Sequence, residues 1–175
     1  MTVLYPRWQK MMVTQMLSER RVLMLSGPRQ SGKTTLSREL ESDQTEYRTL
    51  DDGTLREAAK NDPQGFIKRR TKTLIIDEVQ CIPSLLPAIK KAVNEDTRPG
   101  QYLLTGSANI QTLPTVRESL AGRIAKIRLR PLAQGEVIKN TPRFIDSAFK
   151  QAFLQSHTHY DRDALLEIAF RGGFP

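Results

Sequence analysis

Five short segments of the chain carry the hydrophobic signature of strands: 22–26, 47–50, 73–77, 102–105 and 124–130. The runs at 22–26, 73–77 and 102–105 are almost wholly apolar, as in strands covered on both faces. Tyr47-Arg48-Thr49-Leu50 is mixed. Ala125, Ile127 and Leu129 alternate with Lys126, Arg128 and Arg130, which leaves one face of that segment for solvent. These last two therefore read as edge strands flanking a three-strand centre. The stretches between strands are long enough for helical crossovers, so the pattern predicts a parallel α/β sheet. Leu36 and Leu40 lie four residues apart on one predicted helix face. Ser84 is placed to cap a helix whose stripe is Leu85, Leu86, Ile89 and Val93, and 94–100 is a loop by composition. Beyond Pro131 the spacing turns helical, over 144–153 and 161–170, with Asp161 as an N-cap and Gly172-Gly173 as a stop. The expected organisation is a core over 1–130 and the start of a helical extension over 131–175. The abrupt Gly-Gly-Phe-Pro close suggests a longer protein or a chain cut at a boundary.

Composition bounds the class more than the function. A chain of 175 residues with 38% hydrophobic and 26% charged positions suits one soluble globular domain, or one with part of another. No apolar run approaches the roughly 20 residues that cross a membrane, and residues 1–10 lack the apolar stretch of a secretory signal. Cys81 is alone, which excludes an internal disulfide framework and fits a reducing cytoplasm. His157 and His159 flank one threonine without a cysteine or acidic cluster nearby, so they read as solvated polar residues, not metal ligands.

Gly27-Pro28-Arg29-Gln30-Ser31-Gly32-Lys33-Thr34 fits the pattern G-x-x-x-x-G-K-[ST] at every fixed position, and Thr35 follows it. Its setting is the one the pattern requires, with a strand running in and a helix running out. Glycines let the backbone wrap a phosphate with several N–H groups aimed inward, and the following helix turns its positive end to the same anion. Residues 27–35 are the expected nucleotide-binding set. Lys33 would reach the β- and γ-phosphates, and the Thr34 hydroxyl would ligate Mg²⁺. The plainer alternative is a glycine turn with an idle lysine, and the strand–loop–helix order argues against it.

Downstream, Leu74-Ile75-Ile76-Asp77-Glu78 is an apolar strand ending in two carboxylates, the pattern called Walker B. Asp77 would hold Mg²⁺ opposite Thr34, and Glu78 would polarise the water that attacks the γ-phosphate. This second acid separates ATPases from most small-molecule kinases and GTPases built on the same loop. At the end of the fourth strand, Ser107, Thr105 or Asn109 would orient that water, with Ser107 preferred. Arg123, with Arg117 second, is the candidate guanidinium against the γ-phosphate; the alternative is a basic residue solvating an edge strand.

The net charge of +8 is compatible with DNA or a partner protein. Basic residues gather at Lys68-Arg69-Arg70 with Lys72, at Lys90-Lys91, and at Arg123, Lys126, Arg128 and Arg130. No recognised DNA-reading motif accompanies them, so they read first as a soluble surface plus the charge a nucleotide pocket needs.

Taken together, the loop at 27–35, Leu50-Asp51-Asp52, Ile75-Ile76-Asp77-Glu78-Val79-Gln80, Leu104-Thr105-Gly106-Ser107, Leu120-Ala121-Gly122-Arg123, Pro131-Leu132 with Glu136, and Arg171-Gly172-Gly173-Phe174-Pro175 resemble one group of bacterial and archaeal AAA-type ATP-binding proteins. The resemblance spans almost the whole chain. It implies a P-loop NTPase three-layer sandwich with a parallel five-stranded sheet in the order 5-1-4-3-2, in agreement with the edge strands read above. It also implies an additional C-terminal domain of uncertain role, sometimes likened to restriction-type nucleases, in longer members. Asp51, Asp52 and Tyr5-Pro6-Arg7 would lie near the nucleotide.

The expected function is therefore Mg²⁺-dependent ATP binding and hydrolysis, with Glu78, Lys33, Ser107 and Arg123 as catalytic residues and Thr34 and Asp77 as metal ligands. ATP over GTP follows from the resemblance, and no guanine-reading segment opposes it. Self-association into a homo-oligomer is compatible with an arginine supplied in trans. One rival is a nucleotide-gated module that recruits DNA or protein with little turnover. Another is a P-loop kinase, which the acid after Asp77 disfavours.

Overall fold

The structure is a computed structural model that describes residues 4–107, 124–150 and 160–175. Two compact units result, one spanning 9–130 and the other made of 1–8 together with 131–175. No helix among the described residues is long and apolar enough to cross a membrane.

In the first unit the strands are β1 (Val22–Gly27), β2 (Thr45–Thr49), β3 (Thr73–Asp77), β4 (Tyr102–Ser107) and β5 (Ile124–Arg128). Every pairing is parallel, and the order is β2-β3-β4-β1-β5, the expected 5-1-4-3-2 read from the other edge. The central strands β1, β3 and β4 are buried almost throughout. The flanking β2 is half-buried along its length, and β5 hides Ile127 while exposing Lys126 and Arg128, so the edge assignment holds. Boundaries differ from the sequence reading by a few residues. Leu50 lies past the end of β2 yet donates its N–H to the Asp77 carbonyl at 3.0 Å, and Leu129 donates to the Ser26 carbonyl at 2.7 Å beyond β5.

The two-residue repeat of the strands sorts their side chains between two cores. Val22, Met24, Leu74, Ile76, Tyr102 and Leu104 face α3 (Gly53–Asn61), α4 (Pro63–Phe66) and α5 (Leu85–Glu95). Leu23, Leu25, Ile75, Leu103 and Ile127 face Val13 of α1 (Gln9–Glu19) and Leu36 of α2 (Lys33–Arg38). Helices on both faces of the sheet make the three-layer sandwich.

Three local expectations change. Helix α1 has no counterpart in the sequence reading: Val13 is its one buried residue, so it shows little apolar periodicity. Helix α2 stops at Arg38, and Leu40 lies in the following turn while still packing against the Leu36 cluster. Ser84 occupies the cap position of α5 but makes no side-chain cap, because it already has helical φ and ψ of −64° and −13°. The buried stripe of α5 contains Leu85, Leu86, Ile89 and Val93 as expected, and Ala88 joins it.

The second unit is organised by Glu136. Its Oε1 accepts from Arg7 Nε at 3.2 Å and from the Trp8 N–H at 2.7 Å, and its Oε2 accepts from the Ala133 N–H at 2.9 Å. Both side chains of the Arg7–Glu136 pair are almost fully buried. Glu136 lies in α6 (Gln134–Val137), where the Trp8 ring sits against Gly135. Among the described residues α7 (Phe144–Phe149) and α8 (Arg162–Arg171) follow. Asp161 caps α8 by accepting from the Ala164 N–H at 2.7 Å, and Gly172 ends it with φ of 68°.

Candidate functional site

Parallel strands all finish at the same edge of the sheet, and Gly27, Lys33, Thr34, Asp77, Glu78, Thr105 and Ser107 collect there. β1 delivers Gly27 into the 28–32 loop, β3 delivers Asp77, and β4 delivers Thr105 and Ser107. A Cβ on Gly27 would stand 2.4 Å from the Leu129 carbonyl oxygen and 2.9 Å from Ser31 Oγ, so the first glycine is required by close backbone approach. Gly32 holds φ at 87° and Gln30 at 59°, left-handed conformations that fold the loop back on itself before α2 starts at Lys33. Ser31 and Lys33 are buried in this loop, whereas Arg29, Gln30, Thr34 and Thr35 are exposed and Pro28 is half-buried.

Lys33 is 5% exposed and donates from Nζ to the carbonyl oxygens of Gly27 at 3.2 Å and Pro28 at 2.9 Å. Asp77 is 1% exposed. Its Oδ2 accepts from Thr34 Oγ1 and from the Tyr47 hydroxyl, both at 2.8 Å, and its Oδ1 accepts from Thr105 Oγ1. Among the described residues neither Lys33 nor Asp77 forms an ion pair. A buried ammonium and a buried carboxylate, each held only by neutral dipoles, are costly unless an opposite charge arrives. A polyphosphate would answer Lys33, and a divalent cation would answer Asp77.

The donor set fits a hard cation. Among the described residues no group of three or more His, Cys, Asp or Glu could hold a metal. One carboxylate and one hydroxyl, Asp77 and Thr34, are what Mg²⁺ takes when phosphate oxygens and water complete its shell.

A model of the AAA domain family matches residues 19–138. The chain belongs to the AAA domain family. Two uncharacterised proteins, one from Mycobacterium bovis and one from Mycobacterium tuberculosis, are each 34% identical to it over 116 residues, 66% of this chain. This AAA domain chain spans about a quarter of the length of those curated relatives, 26% in each case. Among solved structures, AMPPCP-bound DnaA from Aquifex aeolicus shares the fold with a TM-score of 0.54 at 16% identity, covering 94% of this chain and 55% of that one. The architecture is that of a P-loop NTPase.

Next to Asp77 in this AAA domain, Glu78 takes φ 58° and ψ 43°, a left-handed backbone that costs a bulky residue about 1 kcal/mol. Its N–H is held by Thr105 Oγ1 at 3.1 Å, and its carboxylate accepts from Gln80 Nε2. Gln80 Oε1 in turn accepts from the Ser107 N–H at 3.3 Å. Glu78 and Ser107, from adjacent strands, are thus joined through one amide. Asp51 and Asp52 follow β2 at the same edge, and Asp52 Oδ1 caps α3 by accepting from the Leu55 N–H at 2.9 Å. Arg7 is engaged by Glu136 within the second unit. Arg123, Arg117, Asn109, His157, His159 and residues 151–153 of the expected 144–153 helix lie outside the described residues.

Tyr47 was not foreseen. Burial first, then its hydrogen bond to Asp77, push its phenol well above the ordinary tyrosine range, and Arg38 lies 4.6 Å above its ring. Its only sequence signal is an aromatic in a mixed strand. What selects it is the β2–β3 register, which sets Thr49 beside Asp77 and Tyr47 beside Ile75.

Proposed function

We propose that this chain binds ATP with Mg²⁺ and hydrolyses the γ-phosphate by in-line attack of water. The observation that carries the proposal is the pair of buried, oppositely charged groups, Lys33 and Asp77, at one sheet edge with Thr34 2.8 Å from Asp77. The adenine base rests on the resemblance of the motifs and on the AMPPCP-bound state of DnaA, which shares the fold.

In this reading the residues of the 27–35 segment enclose the phosphates with their backbone N–H groups. Lys33 exchanges the carbonyls of Gly27 and Pro28 for phosphate oxygens, and so neutralises charge where it develops. Thr34 Oγ1 and the Asp77 carboxylate are the groups that would hold the metal. The chemistry the metal would supply there is Lewis-acid stabilisation of negative charge on the triphosphate. Glu78 orients and polarises the attacking water, with its carboxylate aimed by the left-handed backbone and by Gln80. Ser107, tied to the same amide, fixes the far side of that water. Arg123 supplies a guanidinium to the transition state from a neighbour's chain in an oligomer, and not from its own, because the next residue, Ile124, pairs with Val22 at the edge where the strands begin.

Steady-state phosphate release with Glu78→Gln as the control tests the proposal. Hydrolysis lost in the variant with ATP binding kept supports it. A wild-type chain that binds ATP without turnover would instead be a nucleotide-gated module for DNA or protein, and an acceptor-dependent rate would mean a kinase.

A further inference from the structure

The opposite edge of the sheet, where the strands begin, carries a second charged feature. The segments leading into β3 and β4 and the end of α5 enclose a cleft of about 840 Å³. The five residues of β3 separate it from Asp77, roughly 15 Å at about 3.3 Å per residue. It is therefore distinct from the site at the strand ends.

Among the described residues six cations line the cleft, Lys68, Arg69, Arg70, Lys72, Lys91 and Arg98, against two carboxylates, Glu95 and Asp96. Asp96 is already matched. Arg69 donates to its Oδ2 at 3.0 Å and Arg98 at 2.8 Å, and hydrogen bonding by Arg98 holds its carboxyl well below the usual carboxylate range. Arg69 is fixed further by Gln101 Oε1 at 3.0 Å, by the Lys72 carbonyl at 2.7 Å and by the Tyr102 ring beneath it. These contacts tie Arg69 to the wall of the cleft, while Arg98 stays largely exposed. Lys68, Lys72 and Lys91 are exposed and form no ion pair among the described residues, so their charge is in excess.

We propose that this cleft binds the phosphodiester backbone of single-stranded nucleic acid without reading its bases. The two guanidinium forks paired with Asp96 are spent on it, and the surplus charges are mainly ammonium groups. Ammonium groups bind phosphate as point charges, and the exposed Arg70 guanidinium, in no ion pair among the described residues, offers a fork that suits phosphate oxygens as well. Tyr102, the one aromatic residue lining the cleft among the described residues, is buried under Arg69 with its hydroxyl on the Ile67 carbonyl at 3.1 Å, so it offers no ring for base stacking. A concave groove admits one flexible backbone more readily than the broad surface of a duplex. The proposal stands independently of ATP hydrolysis.

Fluorescence anisotropy of a labelled, mixed-sequence DNA single strand of about 20 nucleotides, titrated with this 175-residue chain without nucleotide, tests it. Binding should weaken with salt. The triple variant Lys68→Ala/Lys72→Ala/Lys91→Ala should bind at least about tenfold more weakly at low salt. Its log–log salt slope should be shallower by about 2, at about 0.7 per lost phosphate contact. The three lysines are exposed, so the variant's unfolding midpoint should match wild type, which separates lost binding from lost folding. No binding by wild type, equal affinity in the variant, preference for the duplex of the same sequence, or equal displacement by poly-glutamate at matched charge would each overturn the proposal.

Discussion

Thr34 and Asp77 stand 43 positions apart in the sequence and 2.8 Å apart in space, the hydroxyl donating to a carboxylate that solvent does not reach. The contact joins the first turn of α2 to the tip of β3, so the sheet sets its length. It also leaves a buried charge that, among the described residues, is satisfied by hydroxyl groups alone, an arrangement that a divalent cation would improve.

Asp77→Asn removes that charge. Without metal the variant should melt no lower than wild type, because a neutral amide is cheaper to bury than an unpaired carboxylate. With Mg²⁺ and ATP it should lose most of the ligand-induced rise in melting temperature seen in wild type, and Mg²⁺-dependent ATP affinity should fall about tenfold or more. Differential scanning fluorimetry and calorimetric titration with and without Mg²⁺ check both statements.

Tyr47→Phe deletes one of the three hydroxyl donors to Asp77. A hydrogen bond to a charged group is worth about 1.5–3 kcal/mol, and the half-exposed position of Tyr47 puts the expected loss at the low end. The pH dependence has a definite sign. The folded-state pKa of Tyr47 is raised, so its stabilisation is complete below the unfolded value of about 10 and is lost as pH climbs above it. Urea unfolding of wild type and variant between neutral pH and pH above about 10 should show their difference shrinking at the alkaline end.

Gly27→Ala places a methyl group 2.4 Å from a backbone carbonyl oxygen, which cannot swing away as a side chain would. Overpacking of this kind costs about 1–3 kcal/mol. The melting temperature should drop, and ATP affinity should fall with it because the loop must shift to relieve the clash.

In the second unit, Arg7→Ala strands Glu136 as a buried carboxylate whose donors among the described residues are then backbone N–H groups. Removing one partner of a buried pair costs about 3–5 kcal/mol. Amide exchange should accelerate across 131–140 while the β1, β3 and β4 amides of the other unit stay protected. Uniform acceleration in both units would contradict the prediction.

The strands were legible because three of them are covered on both faces and two on one, and burial writes itself into hydrophobic pattern. The 27–35 loop and the Asp77-Glu78 tip were legible because their chemistry depends on closely spaced residue types. Helix α1 was hidden because it buries one side chain, Val13. Ser84 looked like a cap by residue type, yet its backbone was already helical. Tyr47 and Gln80 were invisible as partners because their contacts follow from how strands pair, which residue identity does not reveal.

Local sequence determined the five strands, their central or edge character and the segments able to cup a phosphate, since each depends on neighbours in the chain or on simple exposure. Tertiary structure decided which side chains meet: Tyr47 and Thr105 at Asp77, Glu78 and Ser107 across Gln80, and basic clusters from three segments around one cleft. The reason is geometric. Parallel strands joined by crossovers bring residues dozens of positions apart to a shared edge, and only their pairing register fixes the partners to within a hydrogen bond.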